Sequence, residues 1–263
     1  MIISHKHKFV FVHTPRTGGS AIAKSLIDFL GDGDEIYGYT EEFEELSDKN
    51  RNKNIKSNGS EQGKKVWKHS TPKYIKEYLG SSKWNSYFKF CFIRNPLDIH
   101  YSWYHWLRND DYDKSKLLDY QDAIIFAKDN SFEVFFMSEH KFPYRLVDFC
   151  ATINSEKGVS LKSPFSDGRG IANFETDMNF IGRFEKFKID LAYVLGRLDL
   201  PNVKLQIENA SRAFDGRTMA LDEIVDNKEA RTLLNTRHNL DHIYFDYVDW
   251  FHEYNEKYNN YML

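Results

Sequence analysis

Two short segments carry residue types suited to gripping anions. The first, Thr14 to Ser20 (TPRTGGS), places consecutive glycines between an apolar run and a helical pattern. Such a loop lets successive backbone N–H groups aim at one point, and the helix that follows adds partial positive charge, so the chemistry offered is a phosphate cradle. Arg16 adds a permanent cation with forked donors, and Thr17 and Ser20 add hydroxyls. The plain alternative is a tight turn closed by a capping serine. No Lys-Ser or Lys-Thr pair comes directly after a glycine at the spacing G-x-x-x-x-G-K-[ST] requires, so that pattern is absent and ATP is not the default ligand. The second segment pairs Arg94, at the end of another apolar run, with Ser102 eight positions on. Both can donate to a second anion; the alternative is an ordinary ion pair for Arg94 and a helix-face position for Ser102.

The elements that must position these residues follow from apolar spacing. Lys8 to His13 and Tyr87 to Ile93 (YFKFCFI) read as strands, the second central and covered on both faces. Ser20 reads as the N-cap of a helix carrying Ile22, Ala23, Leu26, Ile27 and Leu30 and stopped by Gly31. Residues 41–65 read as a polar surface insertion, with ordered structure resuming at Val66 to His69. Ser70, Thr71 and Pro72 open a helix through Leu79, and Pro96 to Leu107 form another. Further helices are expected at 118–128, 131–138, 186–199, 226–237 and 240–257, and short strands near 146–153 and 178–183. Strands followed by helices imply an α/β fold with a mainly parallel central sheet flanked by helices. In such sheets ligands bind beyond the carboxyl ends of the strands, where both anion-gripping loops emerge.

Composition narrows the classes. The chain has 263 residues, 41% hydrophobic and 29% charged, with 6 Pro and 14 Gly, which excludes collagenous and wholly disordered classes. The expectation is one domain over 1–263 with the insertion at 41–65. A net charge of −3 supplies no global field for nucleic acid, although a local basic site is compatible with it. Cys91 and Cys150 are too few for a disulfide framework or a four-cysteine zinc site, and a reducing compartment fits them. There is no apolar stretch of membrane-spanning length and no signal peptide, so a cytoplasmic location is expected.

Taken together the segments resemble the PAPS-dependent sulfotransferase family, especially its carbohydrate-directed branch. Residues 11–22 (FVHTPRTGGSAI) are similar to its 5′-phosphosulfate loop and 90–104 (FCFIRNPLDIHYSWY) to its 3′-phosphate element. The later segments 180–185 (FIGRFE), 208–211 (ENAS) and 241–247 are similar to its C-terminal pattern. The resemblance implies a P-loop-like three-layer fold and PAPS as co-substrate, leaving as PAP. Arg16, Thr17, Gly18, Gly19, Ser20 and Ala21 would hold the 5′-phosphosulfate, and Arg94 with Ser102 the 3′-phosphate. The family usually has Lys where Arg16 stands, often Thr in place of Ser20, and often a basic residue where Ile99 stands.

Sulfuryl transfer to a hydroxyl needs a base, donors that hold charge growing on the leaving phosphate, and in-line alignment; it needs no metal. An ordinary histidine is available neutral at pH 7. His69, just before a helix and 25 positions ahead of Arg94, is the expected base, with Arg16 stabilising the departing PAP. A capping or packing role is the plain alternative for His69. His13 is its rival, expected instead to shape the loop, and His100 and His105 are expected to face outward. Lys68 and His69 should point to opposite faces if the strand continues through them. Arg183 and Glu185 are read as a structural ion pair, with acceptor contact as the functional alternative. The resemblance implies an acceptor with a free hydroxyl, on a carbohydrate. A P-loop kinase acting on a small metabolite and a non-catalytic nucleotide-binding module are the competing readings.

Overall fold

A computed structural model describes residues 1–38, 54–56, 58–61, 64–109, 118–150, 177–200 and 217–238, with 241, 245 and 247. Its strands are β1 Ile2–Ser4, β2 Phe9–Val12, β3 Glu35–Tyr37, β4 Asn54–Lys56, β5 Asn58–Glu61, β6 Lys64–Trp67, β7 Phe88–Ile93 and β8 Phe180–Arg183. Its α-helices are α1 Gly19–Leu26, α2 Pro72–Leu79, α3 Ser81–Ser86, α4 Pro96–Arg108, α5 Gln121–Asp129, α6 Phe132–Met137, α7 Val147–Cys150, α8 Phe187–Arg197, α9 Arg217–Asp226 and α10 Lys228–Arg237. They fall into two compact units, Met1–Ile93 with Leu146–Glu208, and Arg94–Arg145 with Asn209–Leu263.

The first unit is built on a six-stranded sheet in the order β4-β3-β1-β2-β7-β8. β2, β7 and β8 are mutually parallel, with Phe11 opposite Phe90 and Phe90 opposite Phe180. β1 runs antiparallel to both its neighbours, and β3 and β4 are parallel, so five of the six strands share one direction. The centre of the sheet is explained by composition: FVFV in β2 is buried throughout, as is FKFCFI in β7 after its first residue. Strands covered on both faces have no use for polar alternation. Phe9, Phe11, Phe90 and Phe92 meet Ile22 and Leu26 of α1 and Leu191, Val194 and Leu195 of α8 in one core cluster. Side chains alternate along a strand, so Cys91 points to the opposite face, where its Sγ lies 3.3 Å from that of Cys150 on α7. Helices therefore cover both faces. β5 and β6 form a separate antiparallel pair.

Several expectations are corrected. Residues 2–4, for which no strand was expected, form β1 and are fully buried. Three residues are too few to show a period beside the polar His5-Lys6-His7. The 41–65 segment, expected as a loop, contains β4 and β5 and the start of β6. Residues 147–150 form α7 where a strand was expected, and α9 was not expected at all. The helix expected at 240–257 lies mostly outside the described residues.

The second unit is organised by α4. Its sequence PLDIHYSWYHWLR is apolar or aromatic on nearly every side and is buried accordingly. Tyr101 packs edge-on against Phe132 at 5.1 Å and Tyr104 lies 5.3 Å from Phe135, which seats α6 on it. Arg108 donates to the carbonyls of Ala127 and Lys128 at 2.6 and 3.0 Å, closing the end of α5.

Candidate active site

The first anion-gripping loop leaves the end of β2 and coils tightly. Arg16 has φ 64° and Gly18 has φ 81°, two left-handed residues within three positions. For Arg16 this conformation costs on the order of 1–3 kcal/mol, a strain that characteristically persists at functional loops. Thr17 donates its hydroxyl proton to the Thr14 carbonyl at 2.8 Å, so that proton closes the loop. Helix α1 starts at Gly19 with Gly18 as N-cap, which corrects the expected Ser20 cap: Ser20 is the second helical residue. The first intrahelical bond runs from Ile22 N–H to the Gly18 carbonyl at 3.2 Å. The N–H groups of Ser20 and Ala21 precede it and sit at the positive end of the helix dipole. At the start of the loop Thr14 Oγ1 is buried with no hydrogen-bond partner among the described residues. Left-handed backbone, helix-end N–H groups, a buried hydroxyl and Arg16 together suit an anion.

The glycines are also demanded by packing. A Cβ on Gly19 would come within 2.0 Å of the His13 ring, and one on Gly18 within 2.9 Å of Phe187. Gly19→Ala is therefore expected to displace His13 and lower stability in urea by about 1–3 kcal/mol, the usual cost of overpacking. Gly33→Ala, where a Cβ meets nothing within 4 Å, is the control expected to leave the unfolding midpoint nearly unchanged.

His69 reaches the same loop from the turn after β6. Ser70 N–H donates to the Trp67 carbonyl at 3.1 Å and Trp67 N–H to Ser70 Oγ at 2.8 Å, so the turn carrying Lys68 and His69 is closed twice. His69 Nδ1 lies 3.0 Å from the His13 carbonyl, and the two rings are 4.7 Å apart. A carbonyl only accepts, so Nδ1 is the donor and the neutral ring keeps its lone pair on Nε2. Burial drives the His69 pKa down to about 3; the bond to the His13 carbonyl opposes this, while Lys68 and Arg16 reinforce it. Burial, then His69, holds His13 well below its ordinary value. His13, expected to shape the loop, has its ring against Gly19 and its carbonyl on His69.

In the second unit, Arg94 directly follows the last residue of β7. Asn95 caps α4 by accepting from Leu97 N–H at 3.0 Å and Asp98 N–H at 3.4 Å, with Pro96 opening the helix. Arg94 Nε donates to Asp98 Oδ2 at 2.7 Å, with only 9% and 0% of the two side chains exposed. The ion pair considered from sequence is thus present, and it fixes the plane of the guanidinium. Ser102 is buried one turn beyond Asp98, on the same side of the helix. Ile99 is a buried apolar side chain.

Two histidines expected to face outward do not. His100 is fully buried and hydrogen-bonded to His238, and His105 is half-buried against Tyr101, its pKa lowered by burial and then Arg108 to about 4. Arg183 ends β8, with its backbone N–H on Asp190 Oδ2 at 2.7 Å, and Glu185 lies in the 3-10 turn that follows. Segment 208–211 lies outside the described residues. Sequence reasoning missed Asp98, although an Arg and an Asp four apart at a helix start were a usable signal, and it missed Thr14 Oγ1, which carried none.

The neutral histidines predict acid sensitivity. Unfolded histidines take up protons near pH 6.5, whereas His13, His69 and His100 in the fold resist until well below that. The unfolded state then binds more protons, so stability falls as pH drops below about 6.5. Unfolding midpoints in urea should decrease steadily from pH 7 to pH 5; an unchanged midpoint would contradict neutral burial.

Among the described residues no helix is long and apolar enough to cross a membrane, and no three His, Cys, Asp or Glu side chains group as metal ligands. No curated protein and no solved structure matches the chain. A family profile described as the sulfotransferase family does match, over residues 1–255, and so spans the left-handed loop, His69 and the Arg94 helix alike. The chain belongs to the sulfotransferase family and is a transferase of sulfuryl groups.

Proposed function

We propose that the donor is PAPS, the acceptor a carbohydrate hydroxyl, and His69 the base, on a P-loop-like fold. The observation that carries this reading is the bond from His69 Nδ1 to the His13 carbonyl. It fixes the tautomer that leaves the lone pair on Nε2 and ties that ring to the strand end feeding the Arg16–Gly18 loop. In this reading Arg16 and the N–H groups of Gly18, Gly19, Ser20 and Ala21 hold the 5′-phosphosulfate. Thr17 keeps the loop closed through its hydroxyl. Arg94, braced by Asp98, and Ser102 hold the 3′-phosphate.

Bound PAPS supplies the sulfuryl group and, as PAP, the leaving group. His69 Nε2 takes the acceptor's hydroxyl proton as the acceptor oxygen bonds to sulfur, and the bond from sulfur to the phosphate oxygen breaks with its electron pair going to PAP. Arg16 and the loop N–H groups neutralise that charge. Its guanidinium is bulkier and more delocalised than the lysine ammonium usual in the family, yet supplies the same permanent charge with more donors.

The test is incubation with PAPS carrying labelled sulfate and a panel of glycan, phenol, lipid and peptide acceptors, followed by mass spectrometry. Label on a glycan hydroxyl is expected. Label only on another acceptor class removes the carbohydrate assignment, and PAP binding with no transfer favours a non-catalytic binding module.

A further inference from the structure

The second unit contains a buried polar chain that the proposed chemistry does not use. Phe142 N–H meets His100 Nδ1 at 3.2 Å, His100 Nε2 meets His238 Nε2 at 2.9 Å, and His238 Nδ1 meets Asp241 Oδ2 at 2.7 Å. His100, His238 and Asp241 are all at most 1% exposed. A backbone N–H only donates, so His100 Nδ1 accepts. Burial keeps His100 neutral, so its proton is on Nε2 and is donated to His238. His238 Nε2 must then accept, and its remaining proton, on Nδ1, goes to the carboxylate. Only one proton arrangement satisfies every member, and each atom lost from such a chain strands its neighbour without water to replace it.

The chain grips α4 between Asp98 and Ser102 in sequence. Two residues along a helix turn the side chain by about 200°, so His100 projects from the side of α4 away from the one shared by Asp98 and Ser102. A rotation of α4 that moved Arg94 and Ser102 would pull His100 off His238. We propose that His238, anchored by Asp241, is a positioning residue for the 3′-phosphate site, acting through His100 on the helix that carries Ser102 and follows Arg94. This rests on the assignment of Arg94 and Ser102 to that phosphate.

The experiment is calorimetric titration of folded variants with PAP and with AMP, which lacks the 3′-phosphate. His238→Leu, similar in bulk but unable to accept, should weaken PAP about tenfold, the scale of one buried hydrogen bond, and leave AMP unchanged. His238→Gln, whose side-chain oxygen can accept from His100, should recover PAP affinity to within about threefold. A purely structural role would lower the unfolding midpoint without changing the PAP-to-AMP ratio of the folded fraction, and that result overturns the proposal.

Arg94→Ala runs in parallel. If it collapses the ratio and His238→Leu does not, the positioning role alone fails; if it too leaves the ratio intact, the 3′-phosphate assignment fails and the proposal with it. Should His238→Leu not fold, nitrogen NMR of the wild-type histidines decides. Saturating PAP should shift the His100 and His238 ring signals and AMP should not, and equal responses to both overturn the proposal.

Discussion

His69→Ala lowers turnover by about 10²- to 10⁴-fold, the contribution of a positioned base, while PAP affinity stays within about twofold. The split follows from geometry. The only hydrogen bond described for His69 uses Nδ1, to the His13 carbonyl, and that bond orients the ring without contributing a donor to the anion loop. The loop is closed independently by Thr17 on Thr14 and by the two left-handed residues. Removing the imidazole therefore deletes the proton acceptor and leaves the cradle. With its pKa at about 3 the free ring is neutral throughout the working pH range, and an anionic donor beside it raises its proton affinity when the acceptor's proton must be taken. Steady-state kinetics with saturating donor, paired with PAP calorimetry, checks the prediction. Turnover like the wild type's would remove His69 from the role, and parallel loss of PAP binding would reassign it to the loop's structure.

Arg94→Ala has the second large effect, a loss of PAP affinity of about 10- to 100-fold with little change for AMP. A hydrogen bond to a charged group contributes about 1.5–3 kcal/mol, and each 1.4 kcal/mol is tenfold in affinity. Asp98 makes the site sensitive because it holds Nε at 2.7 Å with both side chains shielded from water. Arg94→Lys keeps the charge and loses the fork, so it should recover only part of the affinity. Arg94→Ala also strands the Asp98 carboxylate, a buried charge that is costly to leave unpaired. The double variant Arg94→Ala/Asp98→Ala, which removes that charge, separates the two effects: a PAP loss as large as in Arg94→Ala assigns it to the missing guanidinium. An unchanged PAP dissociation constant in Arg94→Ala would remove Arg94 from the 3′-phosphate site.

The central strands were legible because FVFV and FKFCFI are nearly unbroken apolar runs, and the loop because glycines, an arginine and hydroxyls sit at the end of one of them. The exact start of α1 was not, since Ser20 and Gly18 are both competent caps and the choice depends on a φ of 81° that only the packed loop reveals. β1 was hidden by its length of three residues, and β4 and β5 by polar composition, since NIK offers a single apolar residue and NGSE none. VDFC around residue 149 has strand-like composition but forms one helical turn that brings Cys150 to Cys91. The burial of His100 was readable in retrospect. At about 100° per residue His100 falls between Trp103 and Tyr104, inside the apolar arc of α4 rather than opposite it. What no sequence pattern could supply is the partner of each polar group: His69 on a carbonyl 56 positions away, or His100 on a histidine 138 positions away.

The central claim is recognition of an adenosine nucleotide phosphorylated at both its 5′ and 3′ positions, and calorimetric titration of the wild-type protein with PAP and with AMP tests it most directly. The account predicts that PAP binds at least about tenfold more tightly than AMP, the contribution of one charge-assisted contact to the 3′-phosphate. Equal affinity for the two, or no heat with PAP, would contradict it.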